Sequence, residues 1–379
     1  MIPLAVPNLT GRETEYLQQC IETTFVSSVG PFVSRLEEMV AEATGSAKAV
    51  AVSSGTAGLH AALAAIGVAP NDLVVLPSFT FIASANAIAY CGASPWLFDV
   101  TEDSWTLDPD LLADHLAAET HQKEGRLIHK KTGRRVSAVM PVYTIGMPAD
   151  MDAILKISRD YNLPIVVDGA AALGATYKGR SLGDFGGDLT IFSFNGNKTV
   201  TAGGGGAVVG EDADLIKLVQ HLSTTARVGT DYHHNKIGFN YRMTNIAAAV
   251  GCAQMERLDE FVSIKRRIQK SYNEALENLP GVGIFPHPEW AEGACWLAGI
   301  MIANAELAQV LRCRLKEKNI DTRQFWKPMH LQPMFLNSPA TAQPVSSDVW
   351  RRIVMLPCST GLKESEQAKV VETVHKALC

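Results

Sequence analysis

Paired cysteines, a basic excess and long apolar runs are all missing from this sequence. Its seven cysteines (Cys20, Cys91, Cys252, Cys295, Cys313, Cys358 and Cys379) are odd in number and never form a CxxC pair. That spacing gives neither a disulfide framework nor a zinc site, and it fits a reducing, cytoplasmic setting. The formal net charge of −5 supplies no footprint for nucleic acid. The short basic clusters at Lys130, Lys131, Arg134 and Arg135 and at Lys265, Arg266 and Arg267 read as solvated faces. No apolar stretch reaches the roughly 18 residues that a membrane span needs, and the N-terminal MIPLAVPNLTGRETEYL has no basic start followed by an apolar run. Neither a membrane nor secretion is indicated.

What is present is a chain of 379 residues, 47% hydrophobic and 19% charged, with material for one large core and a smaller second one. Short β-branched runs alternate with alanine-rich stretches, the pattern of a doubly wound, mostly parallel α/β sheet. The expected strands are 48–54, 72–77, 94–99, 136–142, 163–168, 189–194 and 206–210. GLHAALAAIG, ASANAIAYCG and MDAILKISRDY read as helices between them. After residue 244 the character changes. A long helix from Asn245 to Leu279, with Leu258, Phe261, Val262, Tyr272, Leu276 and Leu279 at helical spacing, is expected to join a large domain (1–244) to a smaller α+β domain (245–379).

In such sheets ligands sit at the carboxyl ends of the strands, so the residues that follow each strand carry the functional signal. In SSGTAGLHAAL a strand breaks at Gly55 and a helix begins near Thr56, so free N–H groups and the positive end of the helix dipole face outward. That is a phosphate site, or only a turn. Asp168 closes the apolar run LPIVV and is followed by the small residues GAAALGA, which leave room for a flat ligand. A strand-end aspartate commonly caps a helix, but it also suits the protonated pyridine nitrogen of pyridoxal phosphate (PLP). Lys198 stands between the apolar FSF and the glycine run Gly203 to Gly206. Most lysines in such places are solvated. Crowding and a nearby cation would instead lower its pKa and leave a neutral amine able to attack an aldehyde.

Gly55, Thr56, VVDGAAALGATYKGRSLGDFGGD, FSFNGNKTVTAGGGG and GFNYRMTN together resemble the DegT/DnrJ/EryC1/StrS aminotransferases, PLP enzymes of fold type I that act on nucleotide sugars. FSFNGNK, KKTGRR (130–135) and FWKPMHLQPMF (325–335) are most similar to the LegC-like and perosamine-synthase-like sugar 4-aminotransferases. The resemblance implies a Schiff-base lysine at Lys198, a pyridine-nitrogen partner at Asp168 and phosphate contacts from Gly55, Thr56 and Ser193. It also implies ring stacking by Phe81, and a phosphate contact that reaches across a homodimer from Asn240. Phe81 could instead be core, Ser193 could satisfy a neighbouring backbone, and Asn240 and Arg242 could be ordinary loop polar groups.

His330, Lys327 and Trp326 are expected on the sugar-nucleotide side of the pocket, although a histidine before LQP is commonly structural. Many members place a glutamine three residues after the aspartate, where this chain has Ala171. The family's sugar dehydratases replace the Schiff-base lysine by histidine; Lys198 is retained here, which disfavours dehydration. His233 and His234 have no further ligand at metal spacing. Asn197 before Lys198 defeats a Walker motif, and no GxGxxG opens a helix. A non-catalytic regulator of this fold would be marked by loss of the lysine. The expected reaction moves an amino group from glutamate to a nucleotide-linked keto-sugar. A UDP-linked 4-keto-6-deoxy-N-acetylhexosamine stands first, GDP-4-keto-6-deoxymannose second and a dTDP-linked keto-sugar third.

Overall fold

The structure is a computed structural model that describes residues 1–183 and 187–378. Asp184, Phe185 and Gly186 of the LGDFGGD motif, and Cys379, lie outside the described residues. The main sheet has strands β1 (Lys48–Val52), β2 (Leu73–Pro77), β3 (Ser94–Phe98), β4 (Val136–Val139), β5 (Val166–Asp168), β6 (Leu189–Ser193) and β7 (Gly206–Gly210). Each falls within a run expected from the sequence. Hydrogen-bonded pairing gives the orders β1-β7-β6-β5 and β3-β2-β4. The bridges Val139 to Ile165 and Val142 to Asp168 join them into one sheet.

Only β7 runs antiparallel to its neighbours. The chain returns from β6 to β7 through residues 194–205 without a crossover helix, which reverses its direction. This is the doubly wound, mostly parallel α/β architecture that the sequence pattern implied. Burial on both faces follows the period of two. Leu73 and Val75 enter one core and Val74 and Leu76 the other, while Ala51 opposes Val50 and Val52 in the same way. Helices cover both faces. α1 (Glu13–Glu22) and α2 (Pro31–Thr44) lie in the first core, and α3 (Gly55–Ala65), α4 (Ile82–Tyr90) and α7 (Ala213–Ser223) in the second; α5 (Pro109–Glu119) and α6 (Met151–Asp160) complete the first side.

The expected single helix after residue 244 is two helices, α8 (Asn245–Met255) and α9 (Leu258–Leu276). Polar anchors hold the break. Glu256 pairs with Arg35 at 2.6 Å and accepts from the Tyr16 hydroxyl at 2.5 Å. Arg257 donates to Asn8 and Thr10 of the N-terminal segment and to Glu260. The alanine-rich α8 is buried nearly all round, whereas α9 changes partners along its length. Leu258 and Val262 pack in the first core, and Ile268, Tyr272 and Leu276 in a third cluster.

That third cluster surrounds an antiparallel sheet of β8 (Val282–Gly283), β9 (Ala298–Ile302) and β10 (Ile353–Leu356), with α10 (Ala305–Glu317), α11 (Pro344–Arg352) and α12 (Glu364–Leu378). Ile2 and Leu4 also belong to it, and the Ile2 N–H donates to the Asn319 carbonyl at 2.8 Å. The N-terminal segment, grouped by sequence with the large α/β region, thus starts on the C-terminal core.

Candidate active site

The carboxyl edge of the main sheet opens into a cavity of ≈ 540 Å³, within the range of small-molecule sites. Gly55, Thr56, Phe81, Asp168, Ser193, Lys198 and Trp326 all line it. Gly55 and Thr56 open α3, and the others come from further segments that the tertiary fold brings together.

The phosphate end is formed where β1 passes into α3. Ser54 caps the helix by accepting from the Ala57 N–H at 3.0 Å, while the N–H groups of Gly55 and Thr56 have no partner within the helix. Added side chains would crowd this corner. A Cβ on Gly55 would stand 3.1 Å from Ser193 Cβ, and one on Gly206 would stand 2.9 Å from the Gly55 nitrogen. Part of the glycine run therefore exists to let β7 approach the helix start. Gly205, beside it, sits at φ +110°, where other residues are strained.

Asp168 is buried, at 5% exposure. Its carboxylate accepts from the Ser84 hydroxyl at 2.6 Å and from the Ala170 N–H at 3.1 Å. Ser84 in turn meets Thr80 at 2.8 Å. Burial pushes the Asp168 pKa up, and these two hydrogen bonds and the charge of Lys198 only partly oppose it. Among the described residues the carboxylate has no ion-pair partner. Ser84 and Thr80 were not singled out in the sequence; their signal was the segment PSFTFIAS, in which Phe81 caps α4 and Ser84 lies in its first turn.

Lys198 is positioned by a turn after β6, its N–H bonded to the Asn195 carbonyl at 2.9 Å. Protein atoms crowd its amine, although part of the side chain still faces the open cavity. Burial lowers its pKa to about 8, against the opposing charge of Asp168. Among the described residues Nζ makes no hydrogen bond; it lies 3.6 Å from the centre of the Trp296 ring. Nothing in the sequence had drawn attention to Trp296.

Phe81 is half exposed on the cavity wall, its ring 5.6 Å from that of Trp326. The other expected residues fall elsewhere. His330 is not among the cavity-lining residues: Nδ1 meets Ser78 Oγ at 2.7 Å and Nε2 meets Ser347 Oγ at 3.0 Å, so both ring nitrogens are engaged. Lys327 is exposed and outside the cavity lining. Asn240 is exposed and also outside it, between Phe239 and Tyr241, which His60 of α3 holds by ring contact at 4.5 Å and a hydrogen bond of 3.0 Å. Ala171 lines the cavity, so its missing glutamine leaves space there. His233 and His234 form a short exposed strand, and among the described residues no three His, Cys, Asp or Glu side chains are grouped to hold a metal ion.

These residues fit pyridoxal phosphate. An anion has a cradle that added side chains would crowd, and a buried carboxylate and a depressed lysine share the cavity beyond it. A sheet of this order with that pair at its carboxyl edge defines the fold-type-I class of PLP enzymes.

Residues 7–375 match the DegT/DnrJ/EryC1/StrS aminotransferase family. The chain belongs to that family and is a PLP-dependent sugar aminotransferase. It is 38% identical to EpsN of Bacillus subtilis (strain 168), named provisionally as a PLP-dependent aminotransferase, across 98% of this chain and 95% of that one. It is 35% identical to the GDP-perosamine synthase of Escherichia coli O157:H7, across 99% and 98%. The crystal structure of a DegT DnrJ EryC1 StrS aminotransferase from Brucella abortus superimposes with a TM-score of 0.89 at 27% identity, covering 97% and 95% of the two chains. No helix of the described residues is long and apolar enough to cross a membrane.

Proposed function

We propose that the chain transfers the amino group of glutamate to a nucleotide-linked 4-keto-6-deoxy sugar, with Lys198 and Asp168 as its catalytic pair. The observation that carries this reading is the convergence of these two side chains on one cavity beside the start of α3. The cofactor supplies an aldehyde to receive the amino group and a ring that draws electrons from the carbon being deprotonated. Everything else falls to the protein. Asp168, held by Ser84 and the Ala170 N–H, keeps a proton on the ring nitrogen. The first turn of α3 and Ser193 hold the phosphate, and Phe81 covers one face of the ring. Lys198 Nζ would carry a proton between the substrate carbon and the cofactor carbon that flank the transferred nitrogen, a role its lowered pKa suits near neutral pH.

Trp326, partly exposed and backed by the buried rings of Phe325 and Trp296, gives the sugar a stacking face. The 35% identity to a GDP-perosamine synthase moves the GDP-linked ketone ahead of the UDP-linked one that the sequence segments favoured. Asn240 is proposed to reach the phosphate of a partner subunit, which accounts for its exposure on the single chain.

The test is a pair of half-reactions. Glutamate should bleach the visible absorbance of the loaded protein, and after glutamate is removed GDP-4-keto-6-deoxymannose should restore it. Restoration by the UDP-linked ketone alone would reverse the order of acceptors. No visible absorbance with added PLP would end the proposal.

A further inference from the structure

Trp296 is fixed more firmly than a wall residue needs to be. Its Nε1–H donates to the carbonyl of Asn197, the residue before Lys198, at 2.8 Å. Its own carbonyl accepts from the buried amine of Lys265 at 3.0 Å, and that amine also donates to the Cys358 carbonyl at 3.0 Å. On its outer side the ring stands 5.8 Å from Trp326, which stacks on Phe325 at 4.2 Å. α9, β9 and the turn after β6 therefore hold one indole in place, at 4% exposure, with a face turned to Lys198 Nζ at 3.6 Å.

An indole face attracts an ammonium through its quadrupole and meets a neutral amine at no polar cost. During transamination, a reading on which this inference rests, the lysine must leave the cofactor to carry a proton. It is a neutral amine before taking that proton and an ammonium after; one proton is gained from the reacting carbon and the same proton returned, so no oxidant or reductant enters. A buried amine in that state needs a place that accepts both forms and does not trap either. Asp168 is already committed to the ring nitrogen and would hold only the charged form.

We propose that Trp296 is a positioning residue that seats the Lys198 amine whenever it is detached from the cofactor. Its anchoring through Asn197 couples the seat to the backbone of the lysine itself, so that Nζ swings between ring face and cofactor over a short, fixed path.

The test uses the full chain loaded with pyridoxamine phosphate, in which Lys198 is free, and compares wild type with Trp296→Leu and Trp296→Phe. Competitive acylation of Lys198, read by mass spectrometry across pH, gives the midpoint of its titration. Trp296→Leu should lower that midpoint by about one pH unit, since the ammonium loses its attractive face. In the PLP-loaded form, Trp296→Leu should also slow the glutamate half-reaction roughly tenfold with little change in the glutamate concentration giving half the maximal rate. Trp296→Phe, which keeps a ring in the same packing, should recover most of both. An unchanged midpoint in Trp296→Leu overturns the proposal even if the rate falls, because packing damage alone would do that. A midpoint lowered as much in Trp296→Phe as in Trp296→Leu also overturns it. Labelling of the cofactor-free chain separates the two readings: a shifted midpoint there, with no glutamate half-reaction in wild type, would sink the proposed glutamate donor and leave the lysine seat standing.

Discussion

Asp168 is a carboxylate whose bonded partners, Ser84 and the Ala170 N–H, are both neutral. Burial raises its folded pKa, so the stability it contributes is present at acidic pH and lost as pH rises through the folded value. Asp168→Asn should therefore raise the Tm of the cofactor-free protein by roughly 2 °C near neutral pH. The gain should vanish in acid, where the carboxyl is protonated in both states; a gain that persists there would remove charge as its cause. The same substitution should cut turnover at least about 100-fold, since a neutral amide cannot hold the ring proton. Lys198→Ala should abolish the visible absorbance and lower turnover by about 1,000-fold or more, with the circular dichroism of the fold unchanged. In the cofactor-free wild type, acylation of Lys198 should rise through pH about 8 rather than through the range of an exposed lysine.

At the scale of elements, the phosphate corner is a contact between β7 and the start of α3 made with hydrogen atoms for side chains. Gly206→Ala would bring Cβ to 2.5 Å from the Phe192 carbonyl as well as 2.9 Å from the Gly55 nitrogen. The strand or the helix start must then shift, at a cost of about 1–3 kcal/mol. Equilibrium unfolding should show that loss, and titration should show PLP binding at least about tenfold weaker. A variant that lost stability but bound PLP normally would place the phosphate elsewhere. Elements also explain the helix pair α8 and α9. The apolar spacing of residues 245–279 reads as one helix, but Glu256 finds Arg35 of α2 and Arg257 finds Asn8 and Thr10 of the N-terminal segment, and the chain turns to meet them.

At the scale of the molecule, the proposed dimer makes a prediction that a single chain cannot satisfy. If Asn240 serves the partner's cavity, Lys198→Ala and Asn240→Ala proteins should each be impaired alone. Mixed and allowed to exchange subunits, they should regain activity, because each hybrid then holds one site with both residues intact. Mixtures that stay as impaired as their components, or an active monomer by sedimentation, would return Asn240 to its own chain.

Sequence alone was enough for the seven strands and the doubly wound class, because local pattern carries these: burial on both faces and small residues after strands. Lys198, Asp168, Gly55 and Thr56 stood out at strand ends, Ser193 and Phe81 came through the resemblance, and the fold places all six on one cavity. It could not give the antiparallel sense of β7, which follows from a return without a crossover helix, nor the break at Glu256 or the placing of Ile2 and Leu4 on the C-terminal core, which depend on partners more than 200 residues away. Tertiary structure alone brought Ser84 to Asp168 and Trp296 to Lys198, engaged both nitrogens of His330 with serines, and left Lys327 in solvent. A side chain's chemistry is written in its type, but its partner is set by where the sheet and the second core deliver it, and no spacing along one segment encodes that distance.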